Sequence, residues 1–138
     1  VQQLPVKQHR TKTTSRYFNY IYVRMGAHTL IHKRTEDDIW KNLFELPLVE
    51  TEKDLSEEEF LACPQFHALF AEGEVRMVRT LLRGVKHVLS HRVIYTNFYE
   101  VTLPDNSSSF SSYQRVAVED LGRYAVPRLI HAFLEKYV

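Results

Sequence analysis

RVIYTNFYEVTL, residues 92–103, is dense in aromatic and β-branched side chains and places Val93, Tyr95, Tyr99 and Val101 at even spacing. That pattern predicts a long β-strand with those four residues on one face. Just upstream, Val75–Leu82 and Lys86–Leu89 read as short strands, so KHVLSHR (Lys86–Arg92) is the connection into the long one. Downstream, PDNSSSFSSY is a loop by composition and YQRVAV a candidate last strand. Pro127 then opens a helix whose Ile130, Phe133, Leu134 and Tyr137 keep the i, i+3, i+4, i+7 spacing of a buried stripe.

Towards the N-terminus, RYFNYIYVRM and HTLIHKR flank Met25-Gly26-Ala27 and predict a hairpin, and Ile39 to Val49 is a short extended run broken at Pro47. Ser56-Glu57-Glu58-Glu59 before Phe60-Leu61 has the form of a capping box, which starts a helix of modest length. Residues 1–15 are polar, basic and aperiodic, the composition of a linker. Strands with about two helices over residues 16–138 predict an α+β layered domain.

The chain has 138 residues, 44% of them hydrophobic, enough for one domain with a substantial core. No run approaches the roughly 18 apolar residues of a membrane span, and VQQLPVKQHR lacks the apolar stretch of a signal peptide, so no membrane partner is expected. The single cysteine, Cys63, allows neither an internal disulfide nor a Cys-based metal cage, which fits a reducing compartment. The net charge of +1 hides a segregation. Residues 1–35 hold seven Lys/Arg and no acid, residues 36–74 two Lys and twelve acids, and residues 75–138 nine Lys/Arg and five acids, so the blocks carry +7, −10 and +4. Basic ends around an acidic centre suit a fold that turns one face to a polyanion.

Seven histidines invite a metal reading. His28 and His32, like His87 and His91, are four apart, a spacing that pairs residues on a helix but separates them by roughly 13 Å on a strand. Both pairs lie in strand-like sequence. Glu57, Glu58 and Glu59 occupy consecutive helix positions that diverge by about 100° each, so capping explains them better than a shared ion. No phosphate-cradling Gly-rich loop, G-x-S-x-G elbow or H-E-x-x-H pair is present. No metal ligand set is expected.

HKRTEDDIWKNLFELP (His32–Pro47), with its Lys-Arg pair followed by Ile-Trp-x-x-Leu-x-Glu-Leu-Pro, resembles the C-terminal domain of MutY-type adenine DNA glycosylases, which has a Nudix-like fold. RYFNYIYV (Arg16–Val23), KHVLSHRVIYTNFYEV (Lys86–Val101) and YAVPRLIHAFLEKY (Tyr124–Tyr137) agree in the same order, and LPVK (Leu4–Lys7) is similar to the start of the linker preceding that domain. The resemblance implies a two-domain parent, bacterial and cytoplasmic, acting on DNA, that excises adenine opposite 8-oxoguanine. Catalysis and a [4Fe-4S] cluster would belong to an upstream helical domain, an intramolecular partner. This chain would be a monomeric, non-catalytic fragment without a cofactor of its own, and its partner would be duplex DNA carrying 8-oxoguanine opposite adenine.

In that family the strand connection carries Phe-Ser-His, and here it is Leu89-Ser90-His91: serine and histidine match, the aromatic does not. The resemblance assigns Ser90 a contact to the lesion base and places His91 in the same DNA-facing loop, while a stacking or wedge role at Leu89 stays open. The chemistry suits a hydroxyl. Guanine offers N7 as an acceptor in the major groove, whereas 8-oxoguanine has an N7–H donor and an oxygen at C8, and serine both donates and accepts. The bland alternative is a plain β-turn. Lys86, Arg83 and Arg92 flank the loop as candidates for phosphate neutralisation, and Trp40, Phe44 and Pro47 are expected in core and turn.

Two rivals remain. A Nudix-type nucleotide diphosphate hydrolase needs G-x5-E-x7-R-E-U-x-E-E-x-G-U, because carboxylates at i, i+3 and i+4 gather magnesium at a diphosphate. LVETEKDLSEEEFLACPQ after Pro47 has no glycine, no Arg-Glu pair and no E-x-x-E-E. The other rival is a protein-interaction module with no nucleic-acid role.

Overall fold

A computed structural model describes residues 14–110 and 112–138. It is a mixed α+β fold built around a four-stranded sheet in the order β4-β1-β6-β5. β1 (Thr14–Arg24) and β6 (Arg92–Thr102) lie parallel at its centre, β4 (Leu48–Thr51) pairs antiparallel with β1, and β5 (Met77–Leu89) antiparallel with β6. A smaller sheet sets β2 (His28–Lys33) between β3 (Phe44–Glu45) and β7 (Gln114–Ala117). Among the described residues three helices complete the fold, α1 (Glu57–Ala62), α2 (Pro64–His67) and α3 (Arg128–Tyr137), with a 3-10 turn over Val118–Arg123. Among the described residues no helix is long and apolar enough to cross a membrane.

Alternation assigns the two faces of the large sheet. Phe18, Tyr20 and Tyr22 of β1 with Ile94 and Phe98 of β6 join one core, closed by Ile31, Leu46 and Val116 from the smaller sheet and by Leu129, Ile130 and Phe133 of α3. Ile21 and Val23 with Tyr99 and Val101 face the other way into a second core under Phe60 of α1 and Phe66 of α2. Val93, Tyr95, Tyr99 and Val101 therefore do share a face, but β6 is a central strand and its alternate residues are buried as well. The capping box closes at both ends: the Glu59 amide donates to the Ser56 hydroxyl at 3.1 Å and the Ser56 amide to the Glu59 carboxylate at 2.9 Å.

Several expectations change. β1 and β2 do not form a hairpin: a single bridge, Met25 to His28, joins them before they diverge into different sheets. The strands expected over Val75–Leu82 and Lys86–Leu89 are one strand. It stays paired through two register shifts, at Thr80–Leu82 and Leu82–Val85; in the second, Gly84 takes a φ of +69° and its amide donates to the Asn97 side chain at 2.8 Å in place of a ladder bond. Ile39–Val49 is not continuous: Trp40 and Asn42 take φ of +59° and +73°, a turn that precedes β3 and β4. Residues 1–13 of the expected linker lie outside the described residues, and Thr14 and Ser15 already belong to β1, paired with Arg92 and Val93.

Candidate nucleic-acid interface

KHVLSHR is the end of the long β5–β6 ribbon. Leu89 pairs with Arg92, so Ser90 and His91 form the two-residue tip, and both are exposed. The tip is anchored from the side: Thr14 donates to the His91 carbonyl through its amide at 3.2 Å and its hydroxyl at 3.3 Å. The parallel β1–β6 pairing thus holds the turn backbone and leaves the Ser90 and His91 side chains facing solvent.

The candidate residues divide by environment. Ser90, His91 and Lys86 are exposed at the ribbon's end. Leu89 is half-buried against the first core. Arg92 is half-buried, with Nη1 3.4 Å from Asp38 Oδ1. Arg83 stands apart, seven positions up the strand from Ser90 and roughly 20 Å away at the strand rise. Its guanidinium donates at 2.8 Å to the Tyr99 hydroxyl and at 2.8 Å to the Leu55 carbonyl, with Asp54 at 3.6 Å, so it fastens β5 to the segment before α1.

Behind the turn lies a charge cluster that sequence gave no hint of. Asp38 accepts from Arg16 through both oxygens at 2.9 Å and from Arg34 at 2.9 Å, besides its contact with Arg92. Arg16 also donates to Glu50 at 2.8 Å, and Arg34 to Glu45 at 3.0 Å. Glu45, only 2% exposed, further accepts from the Tyr20 hydroxyl at 2.7 Å. His32 Nε2 is 2.9 Å from the same carboxylate, without the alignment of a hydrogen bond. Burial, and then the neighbouring Glu45 charge, pushes the Tyr20 phenol well up, which keeps it a donor. The His87 ring meets Trp40 edge-on at 5.8 Å, and Trp40 in turn meets Phe18 at 6.0 Å. The 34–43 loop is therefore clamped to the ribbon by an ion pair and a ring contact.

The Arg16 guanidinium, with help from the Ile39 amide, holds the Asp38 carboxyl well below the usual carboxylate range. A depressed folded-state pKa contributes stability that is fully present above the unfolded value near 4 and is lost as pH falls through the folded one. Denaturant titrations between pH 5 and pH 2 should show stability falling below about pH 4, with a shallower fall in Asp38→Asn. Equal slopes in the two proteins would remove Asp38 from this role.

A cleft of about 260 Å³ is lined by His32, Lys33, Arg34, Thr35, Glu36 and Glu45. It is smaller than the roughly 300–1,000 Å³ of ordinary ligand pockets, and its Glu45 and Arg34 already engage each other. At α1, Glu59 is occupied by the cap and Glu57 bonds Thr80 on β5, so these carboxylates point to separate partners. Among the described residues no three His, Cys, Asp or Glu side chains gather in a metal-holding group.

The sequence matches the profile of the NUDIX domain over residues 19–136. Comparison with curated proteins gives no match. Among solved structures, the C-terminal domain of mouse MUTYH, determined in complex with human PCNA, superposes with a TM-score of 0.64 at 15% identity, covering 88% of this chain and 86% of that one. MutT from Methanosarcina mazei Go1 gives 0.59 at 17% identity over 90% and 93% of the two chains. A MutT NUDIX hydrolase from Burkholderia pseudomallei gives 0.55 at 17% identity over 91% and 99%. At these identities the likenesses speak for the fold.

Proposed function

We propose that this chain, which belongs to the NUDIX domain family, is the lesion-reading C-terminal domain of a MutY-type adenine DNA glycosylase. In this reading residues 1–13 link it to an upstream catalytic domain that carries the iron–sulfur cluster, and the chain itself recognises 8-oxoguanine opposite adenine in duplex DNA. The observation that carries the proposal is the tip of the β5–β6 ribbon, where Ser90 and His91 are exposed on a turn whose backbone Thr14 fixes. That is where the Leu-Ser-His resemblance puts the lesion contact. The fold shared with the mouse MUTYH C-terminal domain supports it. Ser90 would bond the altered N7–H and O8 edge, and Lys86 would take a phosphate without reading sequence. Arg92 contributes positive charge beside the tip while tied to Asp38.

The loop and its flank should separate in a binding assay. Ser90→Ala with His91→Ala should erase most of the preference for 8-oxoguanine over guanine, on the order of 1–3 kcal/mol. Lys86→Ala should weaken both duplexes alike and lower the salt dependence. A folded double variant that keeps the wild-type ratio would reduce the tip to a plain turn.

The MutT likenesses favour a second reading, a nucleotide diphosphate hydrolase. The separate commitments of Glu57 and Glu59 argue against it. Magnesium-dependent turnover of 8-oxo-dGTP by the purified chain would establish it; no turnover is expected.

A further inference from the structure

Cross-strand register exposes a second surface on the large sheet. Residues paired across neighbouring strands share a face, so Thr51 of β4, Tyr17 of β1, Tyr95 of β6 and Lys86 of β5 form one row. One step towards the turn the row is Ser15, Val93 and Val88; one step away, Asn19 and Asn97. Above the asparagines α1 covers this face, with Phe60 stacked on Tyr99 at 4.6 Å. Below them the cover ends: Tyr17, Tyr95 and Val93 are half-buried, Lys86 is exposed, and Val88 is 65% exposed. The two tyrosine rings stand parallel, 5.6 Å apart at 16°. The asparagine row is satisfied within the protein. Asn97 donates to Asn19 and to Asp54 at 3.1 Å each, and Asn19 to the Val49 carbonyl at 3.0 Å. It makes a neutral, fixed floor behind the rings.

We propose that the Tyr17–Tyr95 face binds single-stranded nucleic acid by stacking unpaired bases. Charge selects this occupant. Lys86 is exposed in the same row as the rings, whereas Arg92 turns to the opposite side of the sheet, towards Asp38. Thr14, paired with Arg92, is joined directly to residues 1–13, which contain Lys7, Arg10 and Lys12 and no acid. Asp54, at the border, is engaged by Asn97 and lies 3.6 Å from Arg83. Aromatic rings on a sheet with an exposed lysine in their row suit bases whose π-faces are free and a backbone that needs neutralising. A regular duplex covers those base faces, so unpaired nucleotides are preferred. The surface adjoins the lesion-reading tip but does not depend on it.

Fluorescence anisotropy of a labelled, lesion-free ten-residue oligothymidylate tests the face by itself. The full chain should bind it more tightly than a blunt duplex of equal length. Tyr17→Ala and Tyr95→Ala should each weaken binding on the order of 5- to 100-fold, and Tyr95→Phe should restore it. Val88→Glu puts a carboxylate beside the rings at an exposed position and should weaken binding without touching the core. Preference for the duplex, no binding of the single strand, or wild-type affinity in folded Tyr95→Ala and Val88→Glu would overturn the proposal. Ser90→Ala with His91→Ala should leave oligothymidylate affinity within about twofold, a margin of roughly 0.4 kcal/mol, so failure of the face and failure of lesion reading give different results.

Discussion

Glu45→Ala should destabilise the fold by about 3–5 kcal/mol, the usual penalty for breaking a buried ion pair from one side. The carboxylate is 2% exposed and accepts from Arg34 and from Tyr20, with His32 beside it. Removing it leaves the Arg34 guanidinium, 11% exposed, and a buried phenol short of an acceptor. Arg34 also holds Asp38, so the 34–43 loop should loosen with it. Glu45→Gln keeps the shape and one acceptor and should cost less. Urea unfolding should show the loss as a lower midpoint with an unchanged slope. A change under about 1 kcal/mol in Glu45→Ala, well short of that penalty, would mean that the cluster behind the turn is not structural.

Phe133→Ala is expected to cost about 3–5 kcal/mol, the range for truncating a buried phenylalanine. The ring is 2% exposed and stacks on Phe98 at 4.2 Å and 5°. It also meets Tyr22 edge-on at 6.1 Å, so it fastens α3 to both central strands of the large sheet. Collapse is restrained, because Phe98 belongs to β6 and Tyr22 to β1, strands fixed by their own ladder. Leu134→Ala, one position on and half-buried, should cost clearly less. Thermal and urea unfolding of the pair would check the ordering; equal losses would contradict this packing.

What the sequence shows plainly is local. The stripe on α3 is legible because its residues recur at helical spacing, and the structure buries Ile130 and Phe133 while leaving Tyr137 partly exposed near the end. The Ser56–Glu59 box is legible because its partners are three apart. The separation of β1 from β2 was hidden, since Met25-Gly26-Ala27 gives the same turn signal whether the ladder continues or stops after one bridge. The Gly84 bulge depends on Asn97, thirteen residues away. The convergence on Asp38 joins residues 22 and 54 positions apart, and in the sequence Asp38 is only one of the twelve acids of the 36–74 block. For the candidate site, the exposed tip lies where the loop was expected. The commitment of Arg83 to Tyr99 and Leu55 could not be foreseen, because burial of its donors depends on α1 and the segment before it. The Tyr17–Tyr95 pair arises only from a parallel register between strands distant in sequence.

Lesion reading by the Ser90–His91 tip, as proposed, can be followed residue by residue. The most direct measurement is a titration of the isotope-labelled chain, followed by amide NMR at low and matched salt. Two duplexes should be used, identical but for 8-oxoguanine or guanine opposite one adenine. Affinity is expected to be weak and salt-dependent for both, given a net charge of only +1. The lesion duplex should bind more tightly, with the Ser90 and His91 amides shifting more than with the guanine duplex. Equal affinities and equal shifts at the tip would contradict it.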